Sequence, residues 1–407
     1  MERYNKLLNT VVLFENAFPV GYASANRLLS IAKGINELGH RMKVYCIRPS
    51  DYKPQIINKD VQGVSDGVEY VYPANTTIWP DGIIKRYRIY LKGIILTWKA
   101  LIKENNNNRI HVVFSYSYNV YSNLIFWVFC KIYKIKFIYL IDEYPDSVLY
   151  PKKFGPIFKW CELNYFLKVF DIIFAMTTPL KEFYTKLKGK NAKIEIIPMT
   201  VQPQRFENYS GESPSEKPYF AYSGYIGDNK DGLDILIKAF SIFAKKYDNI
   251  LLYMIGYSRI KAHHDSLMEL AKVNDIADRI VFTGSVHRDE IPRYLCNAIG
   301  LVLARPDNIR AKGGFPTKVG EYLATGKPIV VTKVGEIPSY LKDNVNAFLA
   351  EPGSVESFAS KMIELIEYPI KANQIGLRGK KLTENVFNYK VQAQNIIDFI
   401  LCSYNYY

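Results

Sequence analysis

Cysteine is scarce in this 407-residue chain: Cys46, Cys130, Cys161, Cys296 and Cys402 are odd in number, far apart, and free of any CxxC spacing. That excludes a disulfide framework and a zinc finger, and it predicts buried thiols in a reducing compartment. Histidine is as sparse, with five residues and no ligand pair; His263-His264 lies in a polar helical stretch and His111 begins a strand, so no metal and no cofactor is expected. Long apolar runs are missing too. Ile110–Cys130 has no Lys, Arg, Asp or Glu but is broken by Ser115, Ser117, Asn119, Ser122 and Asn123. Its longest apolar part, Leu124–Cys130, falls far below the roughly 20 residues of a membrane span. Met1–Leu8 is polar and basic and lacks the apolar centre of a signal peptide, so the expectation is a cytoplasmic protein. Internal repeats, helix-turn-helix patterns and RNA-binding motifs are also lacking, which argues against a nucleic-acid partner.

What is present is an ordinary globular composition, 48% hydrophobic and 23% charged, at a length that suits two domains of roughly 200 residues. The net charge of +14 is unevenly placed: residues 1–200 carry +12 and residues 201–407 carry +2. A basic first half favours anionic partners, which charge alone does not distinguish.

Short β-branched runs alternate with longer segments of helical period, the pattern of a parallel sheet wrapped by helices, and the pattern occurs twice. In the first half, strands are predicted at Leu8–Phe14, Arg41–Cys46, His111–Ser115, Lys136–Ile141, Ile172–Met176 and Ile194–Pro198, with a helix over Ala25–Leu38. The second half restarts with Tyr219–Ser223 and a helix Leu233–Tyr247, then strands Ile250–Ile255, Arg279–Thr283, Gly300–Ala304 and Pro328–Thr332. Val201–Lys217 has the composition of a linker. The expectation is an N-terminal domain over 1–200, a second over 201–386, and a terminal helix 387–407 that packs back on the first.

Three loops carry candidate chemistry. Pro19-Val20-Gly21-Tyr22-Ala23-Ser24-Ala25 leads from the first strand into a helix whose N-terminal amides can face an anion or a hydroxyl; with one glycine it is not a dinucleotide fingerprint. Gly224-Tyr225-Ile226-Gly227-Asp228-Asn229-Lys230 has glycines that admit close backbone approach and a lysine as a point charge for a diphosphate. The third runs from Ala304-Arg305-Pro306 through Gly313-Gly314-Phe315-Pro316-Thr317-Lys318 to Glu321 and the strand at Ile329. Lys318 and Glu321 share a helical face, where they can address the phosphate and ribose ends of one nucleotide or, more blandly, form an exposed i,i+3 pair.

Residues 304–332 resemble the signature of glycosyltransferase family 4, in the form common among capsule, O-antigen and exopolysaccharide enzymes. The resemblance extends to the Gly21 loop, Thr177-Thr178-Pro179-Leu180, the Gly224/Lys230 loop, Met254-Ile255-Gly256, Phe282-Thr283-Gly284 and Val334-Gly335-Glu336-Ile337. It implies a retaining GT-B enzyme: α/β, two Rossmann-like doubly wound domains with a cleft between them. It further implies donor diphosphate held by the Gly224 loop, Lys230 and the Gly314/Phe315 amides, ribose on Glu321, and base near Gly256 and the Gly284–Val286 loop. The family's EX7E pattern has Gly313 at its first acidic position, and Tyr225 stands where an arginine is usual; Lys318 and Arg305 are expected to compensate. Asp142 or Glu143, after the strand Lys136–Ile141, is expected near the acceptor or the transferred sugar. The expected partners are a UDP- or GDP-sugar, a lipid-diphosphate-linked or glycan acceptor, and an anionic membrane surface reached through two basic amphipathic segments, Ile83–Lys99 and Lys152–Lys168. A nucleotide-sugar epimerase and a non-catalytic nucleotide-sugar sensor are the alternatives.

Overall fold

A computed structural model describes residues 7–404 apart from 22, 54–55, 153–154, 208, 228–229 and 259. The chain forms two compact units, Met1–Thr200 with Tyr389–Tyr407, and Val201–Asn388.

The first unit is built on an eight-stranded sheet: β1 (Asn9–Phe14), β2 (Arg41–Cys46), β3 (Gln62–Ser65), β4 (Val68–Val71), β5 (Val112–Tyr116), β6 (Lys136–Ile141), β7 (Ile172–Ala175) and β8 (Lys193–Ile196). Their order is β3-β4-β2-β1-β5-β6-β7-β8, with β3 antiparallel at the edge and the other neighbours parallel. Every residue of β1 and β5 is buried, the continuous pattern of strands covered by helices on both faces. Helix Tyr389–Tyr404 lies on helix Ala23–Glu37, where Ala393, Ile396, Ile397 and Ile400 join the core. Gly34 permits that approach, since a Cβ there would stand 2.7 Å from the Ala393 methyl.

The second unit has a six-stranded parallel sheet: β9 (Tyr219–Ser223), β10 (Leu251–Ile255), β11 (Ile280–Gly284), β12 (Gly300–Leu303), β13 (Ile329–Thr332) and β14 (Phe348–Ala350), in the order β11-β10-β9-β12-β13-β14. Both sheets reverse strand order once, between β1 and β5 and between β9 and β12. In open parallel sheets, ligands bind outside the carboxyl ends of the strands at such a switch point.

The segment read as a linker is more ordered than its composition suggests. Val201, Gln202, Pro203 and Phe206 are buried, Pro203–Arg205 forms a 3-10 turn, and the Val201 amide donates to the Phe387 carbonyl at 2.9 Å. Val201, Pro203 and Phe206 supply that anchorage.

Candidate functional site

In the second unit three adjacent strands end in glycines of positive φ: Gly224 after β9, Gly256 after β10 and Gly284 at the end of β11. The Gly224 amide donates to the Ile255 carbonyl at 2.9 Å, and Gly256 bridges Gly284. A Cβ on Gly256 would lie 1.8 Å from the Gly224 carbonyl oxygen. The three therefore form a floor of bare backbone beside the switch point. Gly232, next along the β9 loop, closes against the β12 loop, with its missing Cβ 2.1 Å from the Ala304 carbonyl. Asp228 and Asn229 of this loop lie outside the described residues, as does Tyr22 of the Gly21 loop.

Lys318 lies under that floor. Its Nζ is 2.6 Å from Asp231 and 2.9 Å from the Tyr222 hydroxyl, and it stands 2.1 Å from where a Cβ on Gly224 would be. Burial pulls the Lys318 ammonium below its ordinary pKa, and Asp231 only partly restores it while Lys230 and Arg305 repel it. For Asp231 burial acts upward, but Lys318, the Tyr222 hydroxyl and Arg305 outweigh it and hold the carboxyl below its ordinary value. Lys318 and Asp231 thus form a buried ion pair, with the charges of Lys230 and Arg305 acting on it from close by. Arg305 is only 2% exposed and its Nη2 donates to the Arg310 carbonyl at 3.1 Å, so it contributes charge from beneath the loop and not a direct contact.

Lys318 and Glu321 do not pair with each other. Glu321 Oε1 accepts from Arg205 Nη1 at 2.8 Å, and Arg205 Nη2 donates to the Arg288 carbonyl at 2.7 Å. The Gly-Gly loop differs from expectation in a second respect: the Gly314 amide is spent on the Arg310 carbonyl at 3.0 Å, because Ile309–Gly313 is a short helix that Gly314 terminates. Gly313 is buried at the end of that helix. The Phe315 ring packs on Phe387 and Tyr340, which anchors the loop from the core side. Tyr225, in place of an arginine, sets its ring across Tyr257 at 6.2 Å. Val286 is half-buried in the loop after β11.

In the first unit, Asp142 follows β6 and both its oxygens are occupied, one by the Tyr116 hydroxyl at 2.6 Å and the other by the Tyr118 hydroxyl. Burial, and then Asp142 itself, raises both phenols well above their ordinary pKa, so they act as fixed donors. Glu143 is half-buried beside it. Glu15, directly after β1, accepts from Ser122 at 2.6 Å and Tyr90 at 3.2 Å. Gly21 lets its loop fold on itself, since a Cβ would lie 2.3 Å from the Ala17 carbonyl. Asp231, Arg205, Tyr116, Tyr118 and Glu15 are additions from the structure; of these Asp231 alone carries a local signal in the sequence, since it adjoins Lys230 in the Gly224 loop.

No group of three or more His, Cys, Asp or Glu among the described residues could hold a metal ion, and no helix among them is long and apolar enough to cross a membrane. Helix Ile83–Asn107 divides in two. Its buried residues, Gly93, Ile94, Thr97 and Leu101, all lie from Gly93 onward, and Trp98 sets its ring edge-on to Phe129 at 5.1 Å, so Trp98 is a packing residue. Its first half exposes Ile83 (84%), Ile84, Tyr87, Leu91 and Ile95. At 3.6 residues per turn these five fall in an arc of about 120°, followed around the helix by Arg88, Lys99, Lys92 and Lys85. Ile157 and Trp160 of helix Pro156–Asn164 are exposed as well. Lys153 and Phe154 of the second basic segment lie outside the described residues.

Two doubly wound sheets of parallel strands, the first with one antiparallel edge strand, form a GT-B fold. Sucrose-phosphate synthase from Thermosynechococcus elongatus matches it with a TM-score of 0.76 at 14% identity, over 98% of this chain and 100% of that one. Anabaena HepE in complex with UDP and glucose matches with a TM-score of 0.71 at 14% identity, over 97% and 99%. Residues 204–382 match the family Glycosyl transferases group 1, a match that lies within the second unit. Among curated relatives, the GDP-mannose-dependent alpha-(1-6)-phosphatidylinositol monomannoside mannosyltransferase of Mycobacterium tuberculosis is 22% identical over 245 residues, 56% of this chain and 61% of that protein. The amylovoran biosynthesis glycosyltransferase AmsK of Erwinia amylovora is 25% identical over 51% of this chain and 50% of its own length. The alignments thus span between half and six-tenths of these relatives.

Proposed function

We propose that this protein transfers a sugar from a UDP- or GDP-sugar to a lipid-linked or polysaccharide acceptor, with retention of anomeric configuration. The observation that carries this reading is the buried Lys318–Asp231 pair, with Lys230 and Arg305 close enough to act on it, at the backbone floor of Gly224, Gly256 and Gly284. The phosphates of a nucleoside diphosphate are drawn to this cationic group. As the anomeric carbon–oxygen bond breaks, these cations stabilise the leaving diphosphate, whose oxygen takes the proton of the attacking hydroxyl while the new bond forms on the same face. Glu321 takes the ribose hydroxyls, and Asp142 with Tyr116 and Tyr118 faces the acceptor or the transferred sugar. The charge needed by the leaving group comes from side chains on this reading, and turnover is expected to survive a chelator. The relatives support the donor class: one is named for GDP-mannose and one was solved with UDP and glucose.

The test is a panel of UDP- and GDP-sugars scored by thermal shift and then by transfer, with product anomers read by NMR. Glu321→Gln is expected to keep the fold and lose at least ~100-fold in kcat/KM, and Asp142→Asn to lose transfer with nucleotide affinity kept. A panel with neither stabilisation nor turnover sinks the reading.

The acceptor side extends to an anionic membrane surface. The exposed stripe of Ile83, Ile84, Tyr87, Leu91 and Ile95, flanked by Lys85, Arg88 and Lys92, has the form of an interfacial helix, and it belongs to the half of the chain that carries +12. Each basic residue adds about 1 kcal/mol near such a surface. Flotation with vesicles containing anionic lipid should show binding at low salt that is lost at high salt and in a Lys85→Gln, Arg88→Gln, Lys92→Gln variant. Binding indifferent to both changes would remove the membrane from the list of partners.

A further inference from the structure

Arg205 lies four residues after the boundary of the second unit, in a segment whose composition promised only a connection. Its guanidinium instead spans two separate parts of the candidate donor site. Nη1 binds Glu321 Oε1 at 2.8 Å, on helix Lys318–Ala324, and Nη2 binds the Arg288 carbonyl at 2.7 Å, at the end of the loop that follows Gly284. Both charged side chains are mostly withdrawn from solvent, at 16% and 22% relative exposure, so the pair is shielded from the screening that makes surface ion pairs weak.

We infer that Arg205 is a positioning residue for nucleoside recognition, holding the ribose carboxylate and the base loop in one register; this rests on the reading of Glu321 and the Gly284–Val286 loop given above. The chemistry of the fork supports it. A guanidinium is planar, and its donors diverge at fixed angles, so two acceptors bound to Nη1 and Nη2 are fixed relative to each other as well as to the arginine. A carboxylate offers about four lone-pair sites, and the contact to Oε1 leaves capacity for ribose hydroxyls. Glu321 lies early in its helix, where an untethered side chain would sample several rotamers and lose that freedom on binding. The Arg205 segment is itself fastened, through buried Val201 and Phe206 and the amide bond to Phe387, so the fork is mounted on ordered backbone.

The ligand class is a ribonucleoside diphosphate, and what Arg205 governs is discrimination at its sugar hydroxyls. The probes are UDP and GDP, each beside its 2′,3′-dideoxy form, titrated by calorimetry into the full chain. For the tighter of the two, wild type should prefer the ribonucleotide by tenfold or more. Arg205→Ala should bring that ratio close to one and weaken the ribonucleotide at least tenfold, while the dideoxy form changes less than threefold. Arg205→Lys keeps charge on Glu321 but not the second arm, and should restore the ratio in part. Should Arg205→Ala not fold by circular dichroism, Arg205→Lys and Arg205→Gln carry the test. A merely structural arginine would weaken both forms equally and leave the ratio as in wild type, which overturns the inference. Glu321→Gln separates the two levels: if it too leaves the ratio unchanged, ribose does not sit on Glu321 and the site reading fails with it. If Glu321→Gln collapses the ratio and the Arg205 variants do not, only the role of Arg205 falls.

Discussion

Gly256→Ala is expected to cost the protein at least ~100-fold in affinity for nucleoside diphosphate and about 2 kcal/mol or more in stability. A Cβ at this position would stand 1.8 Å from the Gly224 carbonyl oxygen and 2.9 Å from its carbon, and the residue has φ of 144°. Neither neighbour can yield. The Gly224 amide is bonded to the Ile255 carbonyl and the Ile226 amide to Tyr257, so displacing Gly224 displaces the β9 loop that carries Lys230 and covers Lys318. Gly284→Ala is the comparison: its φ of 72° lies at the left-handed region, a milder strain for alanine than the 144° of Gly256, and nothing lies within 4 Å of its Cβ. It should lose about 1 kcal/mol of stability from backbone strain and little more than severalfold in affinity. Denaturant unfolding and calorimetry on both variants measure the difference. Equal losses for the two would mean that strain alone, and not the closeness of the Gly224 and Gly256 loops, makes the floor.

The glycines at these strand ends could be read in the sequence because a parallel strand buried on both faces announces itself as an unbroken apolar run, and its end is where the run stops. The same reasoning places eleven of the strands, β1, β2 and β5 to β13, within one or two residues. It missed the hairpin of β3 and β4, whose burial alternates between exposed and covered positions at the sheet edge. The Asp66-Gly67 turn, with φ of 47° and 76°, was its signal. β14 is three residues long and offers no period at all. The charged partners were hidden for another reason. Lys318 meets Asp231 across 87 residues of sequence and Glu321 meets Arg205 across 116, so only the folded unit brings them together. Spacing placed Lys318 and Glu321 on one helical face, and it was silent on which carboxylate or guanidinium would claim each.

Removing either member of the Lys318–Asp231 pair should shift the protein in opposite directions with respect to diphosphate. Asp231→Asn leaves the Lys318 ammonium without the carboxylate it is paired with while Lys230 and Arg305 still repel it, and breaking a buried pair in this way typically costs about 3 kcal/mol. The same change removes the carboxylate that competes with phosphate for Lys318, so the variant should bind UDP or GDP more tightly than wild type and recover much of its melting temperature when saturated. Lys318→Met removes the cation, spares Asp231 in part through the Tyr222 hydroxyl at 2.8 Å, and should lose about 100-fold for the diphosphate with little change for the bare nucleoside. The pH dependence follows from the same pair. Phosphate requires the ammonium form of Lys318, whose pKa burial and the neighbouring cations depress below its ordinary 10.5. Affinity for diphosphate is then full below that lowered pKa and declines as pH rises through it, at a pH where an exposed lysine would still be charged. Lys318→Met should abolish this decline along with the affinity. Asp231→Asn should move it to lower pH in the free protein, because the one group that holds the proton on Lys318 is gone. Calorimetric titrations of UDP and of uridine, or GDP and guanosine, between pH 7 and 10 read all three effects. A variant lacking Asp231 that binds diphosphate no better than wild type would show that the carboxylate assists the anion site and does not compete with it, and would reverse the charge balance drawn from the structure.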